Sequence, residues 1–344
     1  MKITRVGLDI AKQVFQVHGV DEHGVAKLRK TLTRRKVLEF FAQLPPCLVG
    51  MEACGGAHYW GRELTKFGHT VKLMAAQFVI PYRKRGKNDA NDAEAICEAV
   101  GRPTMHFVAV KTEEQQAVLM VHRARSLVMA NRTAQVNQIR GLLGEFGVIV
   151  PQGVACLRRQ LPQILEDAEN GLPVLAREVL ARLLAQFREL DHGIAQYDCH
   201  IRELAKQSEA ARRLLQVESI GPMTATAIVA SMGNPNVFKS GRSYAASLGL
   251  APRQHSSGGK TCLGPITKRG DQYVRTLLIH GARACLRVVD KKTDAKSAWA
   301  RRLKERRHAN VATVALAAKH ARIAWAILAR GTEYRPAGPE VVAA

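Results

Sequence analysis

The sequence has no CxxC pair. Its seven cysteines (Cys47, Cys54, Cys97, Cys156, Cys199, Cys262 and Cys285) are scattered and odd in number. That pattern argues against a disulfide framework and against a structural zinc site. Aromatic residues make up 5% of the chain, so stacking platforms for single strands are scarce. No N-terminal stretch resembles a signal peptide, and no run reads as long enough to cross a bilayer. The expectation is a cytoplasmic protein without a membrane partner. Acidic residues are also in short supply. The 344 residues carry 29 Asp and Glu against 52 Lys and Arg, a formal charge of +23. From Ala251 to Ala344 there are 19 basic and 6 acidic side chains. So basic a surface favours a polyanion, because neutralising phosphates releases counterions.

On such a chain, clustered acids need a reason. Asp9 closes the apolar run TRVGLDI and Glu52 closes CLVGME. Asp89 and Asp92 sit three apart in KNDANDAEAICEAV, which reads as a helix start and puts both on one helix face. Carboxylates at adjacent strand ends, facing a pair on a helix, form an oxygen-rich set suited to Mg²⁺ or Mn²⁺. Two such ions stabilise the attacking and leaving oxygens of an in-line displacement. Structural roles fit the same residues singly: Asp89 as an N-cap, Asp92 as a complement to the helix dipole. Arg83, Lys84, Arg85 and Lys87 directly precede the pair and read as a clamp on a phosphate backbone or as a solvated charge run.

Residues 1–110 read as α/β. Three strands come in hairpin order (to Ile10, VFQVHGV and VAKLRKTLT), followed by strand–helix alternation through PCLVGME and HTVKLMA. Periodicity alone supports a mixed α/β unit, and the element order resembles that of the ribonuclease-H-like fold. Residues 111–207 carry two long amphipathic helices joined through Pro151, Pro162 and Pro173, which suggests an antiparallel coiled-coil arm or a helical bundle. Residues 208–335 read as a mainly α domain, and residues 336–344 as a disordered tail. Within the third segment, LLQVESIGPMTATAIVASMG has the form of a helix-hairpin-helix turning at Gly221, a turn that can aim N–H groups at phosphate. Arg275, Arg283 and Arg287 follow at helical spacing and line a backbone path or an ordinary solvated face. His18, His106 and His280 have no partner at ligand spacing, and Trp60, Trp299 and Trp325 read as packing anchors.

GLAPRQHSSGGKTCLGPITKRGD combines hydroxyls with Gly258, Gly259, Arg253, Lys260, Lys268 and Arg269. Glycines let backbone approach phosphate closely, and the cations stabilise charge on phosphoryl oxygens. A serine there can serve as a nucleophile toward phosphorus, or it is simply a loop residue. No His–Asp triad accompanies it, although His255 lies close in sequence.

Taken together, GLDIAK, MEACGG, KNDANDAEA, SIGPMTATAIVA and the serine segment give a chain that resembles the DEDD-type insertion-sequence transposases, the bridge-RNA-guided recombinases, over nearly its whole length. The resemblance implies a Holliday-junction-resolvase-like first domain with Asp9, Glu52, Asp89 and Asp92 as the metal-binding tetrad. It implies Ser257 as the catalytic serine, with Ser256 adjacent. It further implies DNA element ends and target as substrates, a structured guide RNA, a dimer or tetramer, and a bacterial, nucleoid-associated setting. Two other functions fit the residues: a metal-dependent junction endonuclease without serine chemistry, and a non-catalytic architectural nucleic-acid binder.

Overall fold

A computed structural model describes residues 2–84, 86 and 88–335, so Arg85, Lys87 and the tail after residue 335 lie outside the described residues. The chain forms two compact units, residues 1–115 with 232–239, and residues 116–231 with 240–344.

The first unit is built on one mixed sheet. Its strands are β1 (Arg5–Ile10), β2 (Val14–Val20), β3 (Ala26–Thr33), β4 (Leu48–Glu52), β5 (Thr70–Met74) and β6 (Phe107–Val108). The spatial order is β3-β2-β1-β4-β5-β6. β1 pairs antiparallel with β2 and parallel with β4, and β4 runs parallel to β5. Hairpins make the first pairings, and helical crossovers make the parallel ones. This is the ribonuclease-H-like arrangement. β6, two residues long and antiparallel to β5, adds a strand the alternation does not announce.

Alternation along the strands sorts side chains onto two faces. Val6, Leu8, Phe15, Val17, Val49 and Met51 face α1 (Val37–Gln43) and α2 (Ala57–Lys66) in one apolar core, where Phe15 meets Trp60 edge-on at 5.0 Å. After the short α3 (Ala76–Val79), α4 (Asp89–Val100) covers the opposite face. Glycine lets it do so: a Cβ on Gly7 would lie 2.1 Å from the Ala93 carbonyl oxygen and 2.4 Å from the Cys97 nitrogen, and one on Gly50 would lie 2.7 Å from Val100 Cβ. Ala93, Cys97 and Val100 complete that contact as buried residues.

The second unit is helical apart from one hairpin. The bulk of α5 (Glu113–Gly144), with α6 (Val154–Glu166) and α7 (Val174–Gln207), packs through Val136, Ile139, Leu143, Leu157, Leu161, Leu184 and Phe187. α5 and α7 run antiparallel: Arg125 Nε donates to Asp198 at 2.5 Å and Arg132 to Asp191 at 2.9 Å. Asp191 also accepts from Arg158 at 2.6 Å. α8 (Glu209–Leu215), α9 (Pro222–Met232), α10 (Gly241–Ser247), α11 (Gln272–Arg287), α12 (Ala295–Arg306) and α13 (Ala309–Arg330) follow, with β7 (Pro252–Gln254) and β8 (Leu263–Ile266) between α10 and α11.

α13 corrects one sequence expectation. It is 22 residues long with a mean hydropathy of 1.4 over its most apolar window, long and apolar enough to cross a membrane by composition. Its Ala312, Leu316, Ala317, Ala321, Ala324 and Ile327 are buried within the helical unit.

Candidate active site

The four acids occupy one region of the first unit. In β1 and β4, Gly7 and Gly50 face α4, so the residues two further on, Asp9 and Glu52, emerge on the same side. The parallel register pairs Leu8 with Met51, which sets Asp9 beside Glu52 on the next step. The Cys54 thiol beside them is pushed up first by partial burial and then by the Glu52 and Asp9 carboxylates. α4 runs antiparallel to β1. Gly101, just beyond its C-terminus, meets Arg5 at the start of β1, while Ala93 and Cys97 cover Gly7. The first turn of α4, with Asp89 and Asp92, therefore overhangs the Asp9 end.

Asn88, not Asp89, caps this helix: its side-chain oxygen accepts from the Asn91 N–H at 2.8 Å. That leaves the Asp89 carboxylate exposed in the first turn. Asp92 is half-buried and accepts from Arg83 Nη1 at 3.2 Å. A pair of like charges spaced i and i+3 needs a cation, and here Arg83 supplies one to Asp92. Arg83 is thus engaged by a carboxylate, while Lys84 is exposed. Among the described residues no three His, Cys, Asp or Glu side chains are grouped at ligating distance. The donor set itself, four carboxylates and no nitrogen or sulfur, is the kind that hard divalent cations take.

In the second unit, the serine segment is the β7–β8 hairpin. Ser257 and Lys260 bridge across its tip, with the Lys260 N–H donating to the Ser257 carbonyl at 3.1 Å. The two residues between, Gly258 and Gly259, have φ of 56° and 76°. Positive φ at both central positions is what a type I′ turn demands, and glycine meets it without strain. The two serines differ in use. Ser256 Oγ accepts from the Cys262 N–H at 3.2 Å and from Gln254 Nε2 at 2.9 Å, so it is part of the hairpin. Ser257 is exposed, and among the described residues its hydroxyl has no partner.

Arg253, Lys260, Lys268 and Arg269 are exposed on the same hairpin and its base, and among the described residues none is paired with a carboxylate. The base is locked. A Cβ on Gly249 would meet the Arg269 carbonyl oxygen at 2.2 Å, and one on Gly270 the Ser247 oxygen at 1.8 Å. Arg275, expected on a backbone path, is 7% exposed and donates to the Leu248 and Arg269 carbonyls at 2.8 and 3.1 Å. It clamps the hairpin root, whereas Arg283 and Arg287 remain exposed.

α8 and α9 flank a turn over residues 216–221. The sequence places the turn at Gly221, but it is Ser219, with φ of 80°, that takes the left-handed conformation. Gly221 instead precedes Pro222 at the first position of α9, and its carbonyl accepts from the Ala225 N–H at 2.9 Å. Ser219 is held by His320 Nδ1, 2.8 Å from its hydroxyl. The residues missed by sequence reading are Gly7 and Gly50. Their signal was the repeated Gly-x-acid in GLD and GME.

A ribonuclease-H-like sheet with carboxylates at its central strand ends, joined to a helical unit with a basic serine hairpin, defines a nucleic-acid phosphoryl-transfer enzyme. Residues 211–298 match the family described as "Transposase IS116/IS110/IS902 family", and residues 6–147 match the DEDD transposase domain of the same group. The chain is 53% identical over 337 residues to a "Probable family 20 transposase" of Pseudomonas aeruginosa, covering 98% of this chain and 100% of that relative. It is 43% identical over 330 residues to the "Transposase for insertion sequence element IS1111A" of Coxiella burnetii, covering 96% and 91%. With the "Transposase for insertion sequence element IS1328" of Yersinia enterocolitica, identity is 40% over 332 residues, covering 96% and 98%. The chain belongs to the IS116/IS110/IS902 transposase family, whose members cleave and rejoin DNA.

Proposed function

We propose that this transposase breaks and rejoins element ends and target through a phosphoserine on Ser257, assisted by Mg²⁺ or Mn²⁺ at Asp9, Glu52, Asp89 and Asp92. Ser257 Oγ attacks the DNA phosphorus, the bond to the 3′ oxygen breaks, and that oxygen leaves as a 3′-hydroxyl carrying the serine proton. A 3′-hydroxyl from another strand then attacks the phosphoserine, restoring a phosphodiester and the free serine. The bound metal supplies Lewis-acid polarisation and orientation of the phosphate. Arg253, Lys260, Lys268 and Arg269 stabilise the charge that develops on the non-bridging oxygens. The Gly258–Gly259 turn presents the hydroxyl without side chains in the way, and Gly221 at the start of α9, in a helix-hairpin-helix element, offers a further backbone contact to phosphate.

The observation that carries this reading is the contrast between the two serines: one hydroxyl is bound into the hairpin, and the other stands exposed at the tip and, among the described residues, has no partner, with Lys260 beside it and Arg253, Lys268 and Arg269 along the hairpin toward its base. Sequence choice is assigned to pairing with a structured guide RNA, on the resemblance together with the charge of +23. The working form is a homo-oligomer, in which α5 and α7 serve as a coiled-coil arm.

The test is trapping of a covalent protein–DNA adduct on denaturing gels. Ser257→Ala should abolish the adduct and strand transfer while leaving the fold intact by circular dichroism. Unchanged strand transfer rejects the serine mechanism. Asp89→Ala should abolish both, and wild-type activity in that variant rejects the metal site. Nuclease-sensitive RNA co-purifying with the active protein is the expected sign of the guide.

A further inference from the structure

On the α4 face of the sheet the acids do not stand alone in their row. Antiparallel partners point to the same side, and Asp9 pairs with Gln16, which pairs with Thr31. The row Glu52, Asp9, Gln16, Thr31 thus crosses β4, β1, β2 and β3 and ends at the edge strand. With strands about 4.8 Å apart, Thr31 lies about 10 Å from Asp9. Over this row, between β2–β3 and the first half of α4, is a groove of about 500 Å³, within the roughly 300–1,000 Å³ range of small-ligand pockets.

The groove's chemistry is divided. Arg29 and Lys84 stand at it as exposed cations, and among the described residues neither is paired with a carboxylate. Thr31 Oγ1 donates to Gln16 Oε1 at 2.9 Å, which turns the Gln16 amide N–H groups outward, and among the described residues they donate to nothing. Tyr82 contributes an aromatic wall, and the buried His18 and half-buried Glu94 contribute the floor. Burial holds the His18 imidazole below its ordinary range, against the pull of Glu94, so it stays neutral. A neutral imidazole, a carboxylate that only accepts, and an aromatic ring suit a base. The cations and the free amide suit its sugar-phosphate.

We propose that this groove holds an unpaired deoxynucleotide next to the scissile phosphate, and that Glu94 makes it favour a base with an exocyclic amine (cytosine, adenine or guanine) over thymine, which has none. A carboxylate accepts from such an amine and repels the carbonyl oxygen thymine presents instead. Tyr82 stacks on the base, Arg29 and Lys84 hold phosphates, and Gln16 donates to the strand. The placement rests on the reading of Asp9 and Glu52 as the cleavage centre.

The test replaces Tyr82 with the photocrosslinker p-azidophenylalanine in the full chain and crosslinks it to labelled single-stranded dC10. Crosslinking should occur, and unlabelled dC10 or dA10 should compete about tenfold better than dT10. Glu94→Gln should make the three competitors equal, and the Arg29→Gln/Lys84→Gln pair should weaken crosslinking to each. No crosslink, or no preference among the competitors, or a preference that survives Glu94→Gln, overturns the groove assignment. Asp9→Asn separates the two readings. Loss of cleavage with crosslinking retained supports both, whereas cleavage that survives Asp9→Asn removes the scissile centre and with it the flanking position.

Discussion

Gly7→Ala tests the central geometric claim, that glycine beneath α4 allows the helix to carry two carboxylates over two others. The added methyl would meet the Ala93 carbonyl oxygen at 2.1 Å, the Cys97 nitrogen at 2.4 Å and Cys97 Cβ at 2.8 Å. Two of those atoms are backbone, so no rotamer change relieves the clash, and α4 must lift or tilt. Overpacking of this kind costs about 1–3 kcal/mol, and at roughly 2–4 °C per kcal/mol the melting temperature should fall by on the order of 3–10 °C. The displaced element is the one bearing Asp89 and Asp92, so strand cleavage should fall by more than the stability loss explains at a temperature where the variant is fully folded. Gly55→Ala is the matched control, since a Cβ there meets nothing within 4 Å and needs no left-handed backbone. The assays are thermal melts by circular dichroism and cleavage at low temperature. A Gly7→Ala protein with wild-type melting and wild-type cleavage would refute the argument, because the helix would then not depend on that contact.

Ser256→Ala removes the acceptor for Cys262 N–H and Gln254 Nε2, and should loosen the hairpin by about 1 kcal/mol while still forming the covalent adduct; loss of the adduct equal to that of Ser257→Ala would reassign the nucleophile. His122 is 1% exposed, between Tyr273 Oη and Thr226 Oγ1 at 3.0 Å each. Burial, then Arg125, lowers it from 6.5 to about 4. The folded state therefore prefers the neutral ring, and the stability it contributes is complete above pH 6.5 and lost as pH falls toward 4. The full effect is roughly 3 kcal/mol, so His122→Gln should flatten the melting-temperature curve across that window; an unchanged slope would place the titration elsewhere. Arg83→Gln frees Asp92 from its ion pair, so Mn²⁺ affinity, read by electron paramagnetic resonance without DNA, should rise several-fold; an unchanged affinity would show that Asp92 is no ligand.

Much of the first unit was legible because strand alternation and hairpin spacing are local signals. The acids could be located because Asp9 and Glu52 end apolar runs and Asp89 and Asp92 open a helix. What escaped depended on contacts between distant segments. β6 has two residues, too few for any period. Gly7 and Gly50 are ordinary strand glycines until Cys97 and Val100 lie on them. Arg275 has the spacing of a solvated arginine, but its guanidinium satisfies carbonyls of the hairpin root. Ser219 overrode the glycine rule at the α8–α9 turn: a buried imidazole holds its hydroxyl, and its carbonyl lies where a Cβ on Gly281 would come within 2.3 Å. The two adjacent serines are indistinguishable by composition and are separated by the Cys262 N–H and Gln254 Nε2, which both donate to Ser256.

The acidic region also shows why it folds with so many like charges. Asp89 and Asp92 lie in the first turn of α4, where unpaired N–H groups leave a positive partial charge that favours anions by about 0.3–1 kcal/mol each. Asn88 takes the cap by accepting from Asn91, so neither aspartate is consumed in closing the helix. Arg83 compensates Asp92 directly, and glycine packing of α4 on β1 and β4 fixes the register, together with the Arg5–Glu98 ion pair between β1 and α4. Helix dipole, cap, ion pair and apolar contact each act on the backbone or on one carboxylate. The positions of the four acids are thereby set by the fold, with Arg83 as the cation that compensates Asp92 in it.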